Sequence, residues 1–183
     1  MLRQVIFPTL GILSFILIGC QKEVAERIES DKESGNQVAL RNFSRMNYKE
    51  NGILEWKLVA RESYVYTKED RTVLYNLHFI QFEDKKVTSE LKSDWGEVNH
   101  TTKLLLLKGN IHLTTPDNKS LQTDELSYNL ETEELVSDSD VSVYSSGTSI
   151  RGRGLRAKRD LNQFTILKPA AITRGGANPF KKD

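Results

Sequence analysis

One cysteine, four prolines and three histidines in 183 residues leave few ways to build a staple or a metal centre. A lone thiol has no partner in the chain, so disulfides cannot hold the folded part. His78, His100 and His112 are scattered, with no second histidine at ligand spacing and no cysteine to join them, so zinc is not expected. Glu131, Glu133, Glu134, Asp138 and Asp140 lack the ligand spacing of a calcium loop. There is no Gly-x-Ser-x-Gly elbow and no phosphate loop, so neither a catalytic set nor a cofactor is expected. Excess charge is missing too: without residues 1–19 the chain keeps 25 basic against 25 acidic residues, which offers nucleic acid no general attraction.

What is present begins at the N-terminus. Arg3 precedes an uncharged stretch from Val5 to Gly19, interrupted by Pro8 and ended by Cys20 and the polar Gln21-Lys22-Glu23. That layout predicts a signal peptide, residues 1–19, and is short for a permanent membrane span. Leu17-Ile18-Gly19-Cys20 resembles the lipobox of bacterial lipoproteins, which implies a lipidated Cys20; two or more acyl chains there hold a protein durably on a membrane. Residues 20–40 are rich in Glu, Lys, Ser, Gly and Asn and predict a flexible tether, and residues 174–183 a disordered tail. The folded part is then 41–173.

Within it, β-branched and aromatic residues alternate with polar ones, as in Leu54, Trp56, Leu58 and Ala60 against Glu55 and Lys57, and no window carries a helical stripe. Turn-prone clusters at 68–70, 83–86, 115–118 and 145–147 divide the strands. A motif of apolar, spacer, small, two spacers, then a further alternating pair recurs at Leu58-Ala60-Ser63-Val65, Leu91-Ser93-Gly96-Val98, Leu121-Thr123-Leu126-Tyr128 and Ile150-Gly152-Leu155-Ala157. The two-residue gap flips the inward face unless a bulge absorbs one residue, so every unit should bend at the same place. Return strands align at His78 and Ile80, Ile111 and Leu113, Val141 and Val143, Ala170 and Ile172. Four hairpin-like units therefore stack edge to edge.

Such a stack buries one apolar row. Trp56, Leu58, Ile80, Leu91, Val98, Ile111, Leu113, Leu121, Tyr128, Val141, Val143, Ile150 and Leu155 are the inward candidates, and they suit a closed core or an enterable trough. Stacking also leaves two edge strands, near 43–59 and 162–173, carrying Phe43, Met46 and Leu54 at one end and Phe164, Ile166 and Ile172 at the other. Unpaired edges invite strand addition by a partner. Arg151, Arg153, Arg156, Lys158 and Arg159 fall on outward positions and read as a solvated strand face.

Lys57-Leu58-Val59-Ala60, Leu107-Lys108-Gly109-Asn110-Ile111, Leu121-Gln122-Thr123-Asp124-Glu125-Leu126-Ser127-Tyr128, Val136-Ser137-Asp138 and Gly152-Arg153-Gly154-Leu155 together resemble the LptC family, over residues 45–173. LptA and LptD share some of these strands, but their order and the N-terminal anchor favour LptC. The resemblance implies an all-β, folded-over antiparallel jellyroll whose apolar groove receives acyl chains of lipopolysaccharide or lipooligosaccharide from an inner-membrane ABC transporter and hands them to an LptA-like protein at the C-terminal edge. It implies a periplasmic, membrane-anchored carrier and not an enzyme. Better-known members keep a transmembrane helix where this chain has a lipobox, so the membrane of residence is left open. The other readings are a structural envelope lipoprotein with a closed sandwich core and a soluble LptA-like bridge.

Overall fold

The computed structural model describes residues 32–175; the signal peptide, Cys20 and most of the expected tether lie outside the described residues, as do residues 176–183. Nine strands follow one another: β1 (Val38–Tyr48), β2 (Leu54–Tyr66), β3 (Arg71–Glu83), β4 (Lys86–Asn99), β5 (Leu104–Thr114), β6 (Ser120–Asn129), β7 (Glu134–Ser145), β8 (Thr148–Lys158) and β9 (Phe164–Arg174). They form one antiparallel sheet in sequence order, so every connection is a hairpin. The four turn clusters read from the sequence fall between strands. Asp84-Lys85 and Ser146-Gly147 have the paired positive φ of tight hairpin turns.

Each strand bends near its middle. Along β2, Ala60 and Ser63 are both buried although three residues apart; Ser93 and Gly96 of β4 repeat this. Register shifts fall between Lys92 and Trp95, Lys108 and Ile111, Thr123 and Ser127, and Ser137 and Asp140, in a line across the sheet. Asn42, Asn76 and Asn110 sit on that line at intervals of thirty-four residues, all with φ near +50°. Asparagine accepts this left-handed conformation more readily than other side chains, which makes the bend cheap there. The sheet folds along the line into two leaves whose apolar rows face each other: the Phe79 and Tyr128 rings approach to 5.9 Å, and Gln81 Nε2 donates to Tyr128 Oη at 2.6 Å.

Four boundaries and positions differ from the sequence reading. Ile80 lies on the outer face; Leu77, Phe79 and Gln81 point inward instead. The first return-strand match, His78 and Ile80 with Ile111 and Leu113 at an offset of 33, is one residue out, because β3 absorbs its bend with one left-handed residue, Asn76, whereas β5 uses two, Gly109 and Asn110. Leu54 is not on an edge, because the 43–59 segment turns at 49–53 and Leu54 opens β2. The ordered chain also starts earlier than residue 41.

Residues 32–37 dock on the outer face of the sheet. Glu33 accepts hydrogen bonds from Tyr66 Oη (2.7 Å) and Tyr75 Oη (2.8 Å), Lys32 Nζ lies 3.2 Å from Glu62, and Gln37 accepts from the Thr67 amide at 2.8 Å. They pin the segment beside a second, outer cluster of Tyr64, Tyr66 and Val73, against which Ala39, Tyr75 and Trp95 pack. Burial, then the Glu33 carboxylate, push the Tyr75 hydroxyl up to about 12.

Candidate functional site: an apolar cleft between the leaves

The space between the leaves is not uniform. Across most of β4–β8 it is filled: Leu107, Ile111, Leu113, Leu121, Leu135, Val143 and Leu155 are all at or below 2% exposure. Toward β1 the leaves separate around a cavity of about 310 Å³. Phe43, Trp56, Leu58 and Phe79 line it from one leaf, and Leu74, Val98, Leu105 and Leu130 from the other. Phe79 faces this cavity on one side and meets Tyr128 on the other, so the Phe79–Tyr128–Gln81 contact closes the cleft off from the packed interior. Beyond Phe43, the inward Val38 and Leu40 of β1 are 43% and 38% exposed, because no further strand covers them.

The cleft's mouth is polar. Arg45, Asn47 and Glu55 stand on one leaf, Thr72, His100, Lys103 and Glu131 on the other. Asn47 Nδ2 donates to Glu55 at 2.7 Å, and the Thr72 hydroxyl lies 2.9 Å from His100 Nε2. Burial, then the positive charge of Arg45, hold the His100 imidazole below its usual range; Asp70 pulls the other way, and Lys103 adds a smaller push downward. Two larger hollows, about 630 and 580 Å³, lie on the outer faces and are lined mostly by polar side chains such as His112, Gln122, Arg151 and Arg153, or Glu134, Arg156 and Lys158. Chemistry, not size, separates these three sites: the inner cleft is the one walled by rings and leucines.

The inward candidates divide accordingly. Trp56, Leu58 and Val98 line the cleft; Leu91, Ile111, Leu113, Leu121, Tyr128, Val141, Val143 and Leu155 belong to the packed core. Ile150 shares the inner face, opposite Val143 and Ile172, but is only half-buried near the C-terminal edge. The sequence reading missed Phe43 as a cleft residue, listing it only on an edge, and missed Phe79 through the register error in β3. It also missed Arg45, an inward charge that no periodicity marks.

Among the described residues, β1 and β9 are the terminal strands of the sheet, each paired on one side. β1 carries Phe43 and Met46, and β9 carries Phe164, Ile166 and Ile172, the last 57% exposed. Pro169 interrupts β9, a residue that sheets tolerate at edges because it cannot donate to a ladder. Three of the five residues of the basic run make ion pairs: Arg156 with Asp138, Lys158 with Glu134, Arg159 with Glu133. Among the described residues no three His, Cys, Asp or Glu side chains could hold a metal ion, and no helix is long and apolar enough to cross a membrane.

The model of the family described as lipopolysaccharide-assembly, LptC-related, matches residues 8–173. The chain belongs to the LptC-related family. Membership makes it a lipopolysaccharide-assembly protein of the cell envelope, in a family of transport components rather than enzymes. Among solved structures it is similar to LptH of Pseudomonas aeruginosa, described as the LptA-homologous periplasmic component of the lipopolysaccharide transport device. That likeness has a TM-score of 0.51 at 9% identity over 61% of this chain and 80% of the other, and it establishes the folded-over sheet alone. No curated protein matches.

Proposed function

We propose that this LptC-related protein is a membrane-anchored periplasmic carrier that takes an acyl chain of lipopolysaccharide or lipooligosaccharide into the β1–β3 cleft and passes the glycolipid on. The observation that carries this reading is an apolar, enterable space next to an open sheet edge in a fold whose remaining interior is sealed. Each methylene leaving water for such a wall contributes about 0.8 kcal/mol, so no energy source is needed in this chain; the transporter's ATP hydrolysis does the lifting. At about 310 Å³ the cleft is near the lower bound of ligand sites, room for one chain and not several. Further chains of the same glycolipid extend past the edge or require the leaves to part.

Partners follow from the edges. β1 would face the transporter's periplasmic domains, and β9 would add its backbone to an LptA-like bridge protein, continuing the stack. Cys20, outside the described residues, would tether the domain to the inner membrane. The test is photo-crosslinking in living cells with benzoylphenylalanine replacing Phe43, already an aromatic ring at the cleft. A glycolipid adduct that depends on ATP is the expected result, and absence of any lipid adduct at this position, in cells that still export glycolipid, rejects the carrier reading.

A further inference from the structure

Arg45 occupies a position where the strand's alternation calls for an apolar side chain. It is paired with Leu58, which in turn lies opposite Phe79, and it follows Phe43 on the inward face of β1. Its guanidinium stands 6.0 Å from the Trp56 ring. Across the mouth, His100 and Lys103 come from the β4–β5 turn on the opposite leaf. Neither Arg45 nor Lys103 forms an ion pair among the described residues.

The carboxylates of Glu55 and Glu131 stand at the same mouth, but among the described residues neither is ion-paired with Arg45 or Lys103. Glu55 is engaged by Asn47 at 2.7 Å. Asp70, the acidic group acting on His100, accepts from the Thr101 hydroxyl at 2.7 Å. Two cations, Arg45 and Lys103, thus converge from opposite leaves on the entrance to an apolar cleft, beside the His100 imidazole, whose burial favours its neutral form. Arg45 and Lys103 are both solvent-exposed, so each can meet an incoming anion without first being buried. Inward charges do blunt sheet edges, but that role would need Arg45 alone and gives no reason for Lys103 and His100 to face it.

We propose that Arg45 and Lys103 form a cationic lip, with the His100 imidazole beside them as a hydrogen-bonding group, that grips the phosphate-bearing head of an amphiphile whose acyl chain fills the cleft. This rests on the carrier reading above and adds a head-group requirement to it. Guanidinium and ammonium groups bind phosphate through charge-assisted hydrogen bonds. The phosphate could belong to a glycolipid or to a phospholipid, which share this chemistry.

The test uses the full chain in phosphatidylcholine nanodiscs, with Trp95→Phe so that Trp56 in the cleft is the sole tryptophan. Two probes carry the same brominated acyl chain, a lysophosphatidic acid and a monoacylglycerol, and quenching of Trp56 reports their entry. The phosphorylated probe should bind at least about tenfold more tightly, the increment expected of a charge-assisted contact. In Arg45→Gln/Lys103→Gln that advantage should vanish while monoacylglycerol binding stays unchanged; melting curves confirm the fold, and Lys103→Gln alone, in a turn, carries the test if the double variant unfolds. Equal binding of the two probes by the parent, or equal weakening of both by the variants, overturns the lip and leaves the cleft standing. Quenching by neither probe sinks the carrier reading itself. Displacement of the phosphorylated probe by purified lipid A and not by phosphatidic acid assigns the head to the glycolipid, and the reverse to a phospholipid; displacement by neither overturns the proposal.

Discussion

The same folded-over sheet is a solid at one end and a cleft at the other. In β4–β8 the leaves carry branched side chains on both walls, Leu107, Ile111, Leu113, Leu121 and Val143, which interdigitate to near-zero exposure. In β1–β3 the walls carry flat rings, Phe43, Trp56 and Phe79, facing Leu74 and Val98, with a charge, Arg45, and an amide, Asn47, where the edge strand should supply bulk. The lesson is that one architecture yields a core or a binding site depending on what the terminal strand contributes. Closed packing is the default of such a fold, and the cleft exists because β1 leaves it unfilled.

Substitutions can break or sharpen that contrast. The largest loss is expected in the sealed part: Leu121→Ala removes a side chain at 0% exposure and should cost about 2–5 kcal/mol in urea unfolding. Gly152→Ala comes next. A Cβ there would lie 2.4 Å from the Lys168 carbonyl and 2.7 Å from Ile166, so β9 must move, at a cost of about 1–3 kcal/mol, with faster hydrogen exchange confined to β8 and β9. Binding of an LptA-like partner should fall with it if β9 is the docking edge.

At the cleft end, Phe43→Ala should cost only about 1 kcal/mol, since the ring is half-buried on an edge, while abolishing acyl-chain binding. A stability loss as large as that of Leu121→Ala would mean the cleft is core after all. The smallest effect is local. Glu33→Ala should release residues 32–37, seen as lost exchange protection, without shifting the unfolding midpoint by more than a small fraction. It should also lower the Tyr75 and Tyr66 hydroxyls toward their ordinary 10, read by ultraviolet titration. A phenol raised in the folded state stabilises it at lower pH and loses that contribution as pH climbs from 10 toward 12, so the parent should lose stability over that window more than the variant does.

Much of the fold was legible because alternation and bulge both leave a sequence mark. The two-residue gap in Leu91-Ser93-Gly96-Val98 and its copies foretold the bend in each unit, and the breaker-rich clusters marked the turns. Register in β3 was not legible, since the gap between Leu74 and Leu77 and that between Leu107 and Ile111 differ by one residue; the asparagines at 42, 76 and 110, spaced by thirty-four, were the signal that would have corrected it. Docking of residues 32–37 escaped notice because polar anchors such as Glu33 have no period. The division of the interior into core and cleft could not be read either: inward residues look alike in a strand pattern, and only the distance between leaves tells packed leucines from a wall.

The central claim is that acyl chains can enter beside Leu58 and Leu74 but not beside Leu113 and Leu121. Replacing each in turn by a diazirine analogue of leucine and irradiating the protein with a radiolabelled lipid A tests it directly. Lipid adducts at 58 and 74, with none at 113 and 121, are the predicted result. Labelling of all four alike, or of the second pair alone, would contradict a cleft confined to the β1 end.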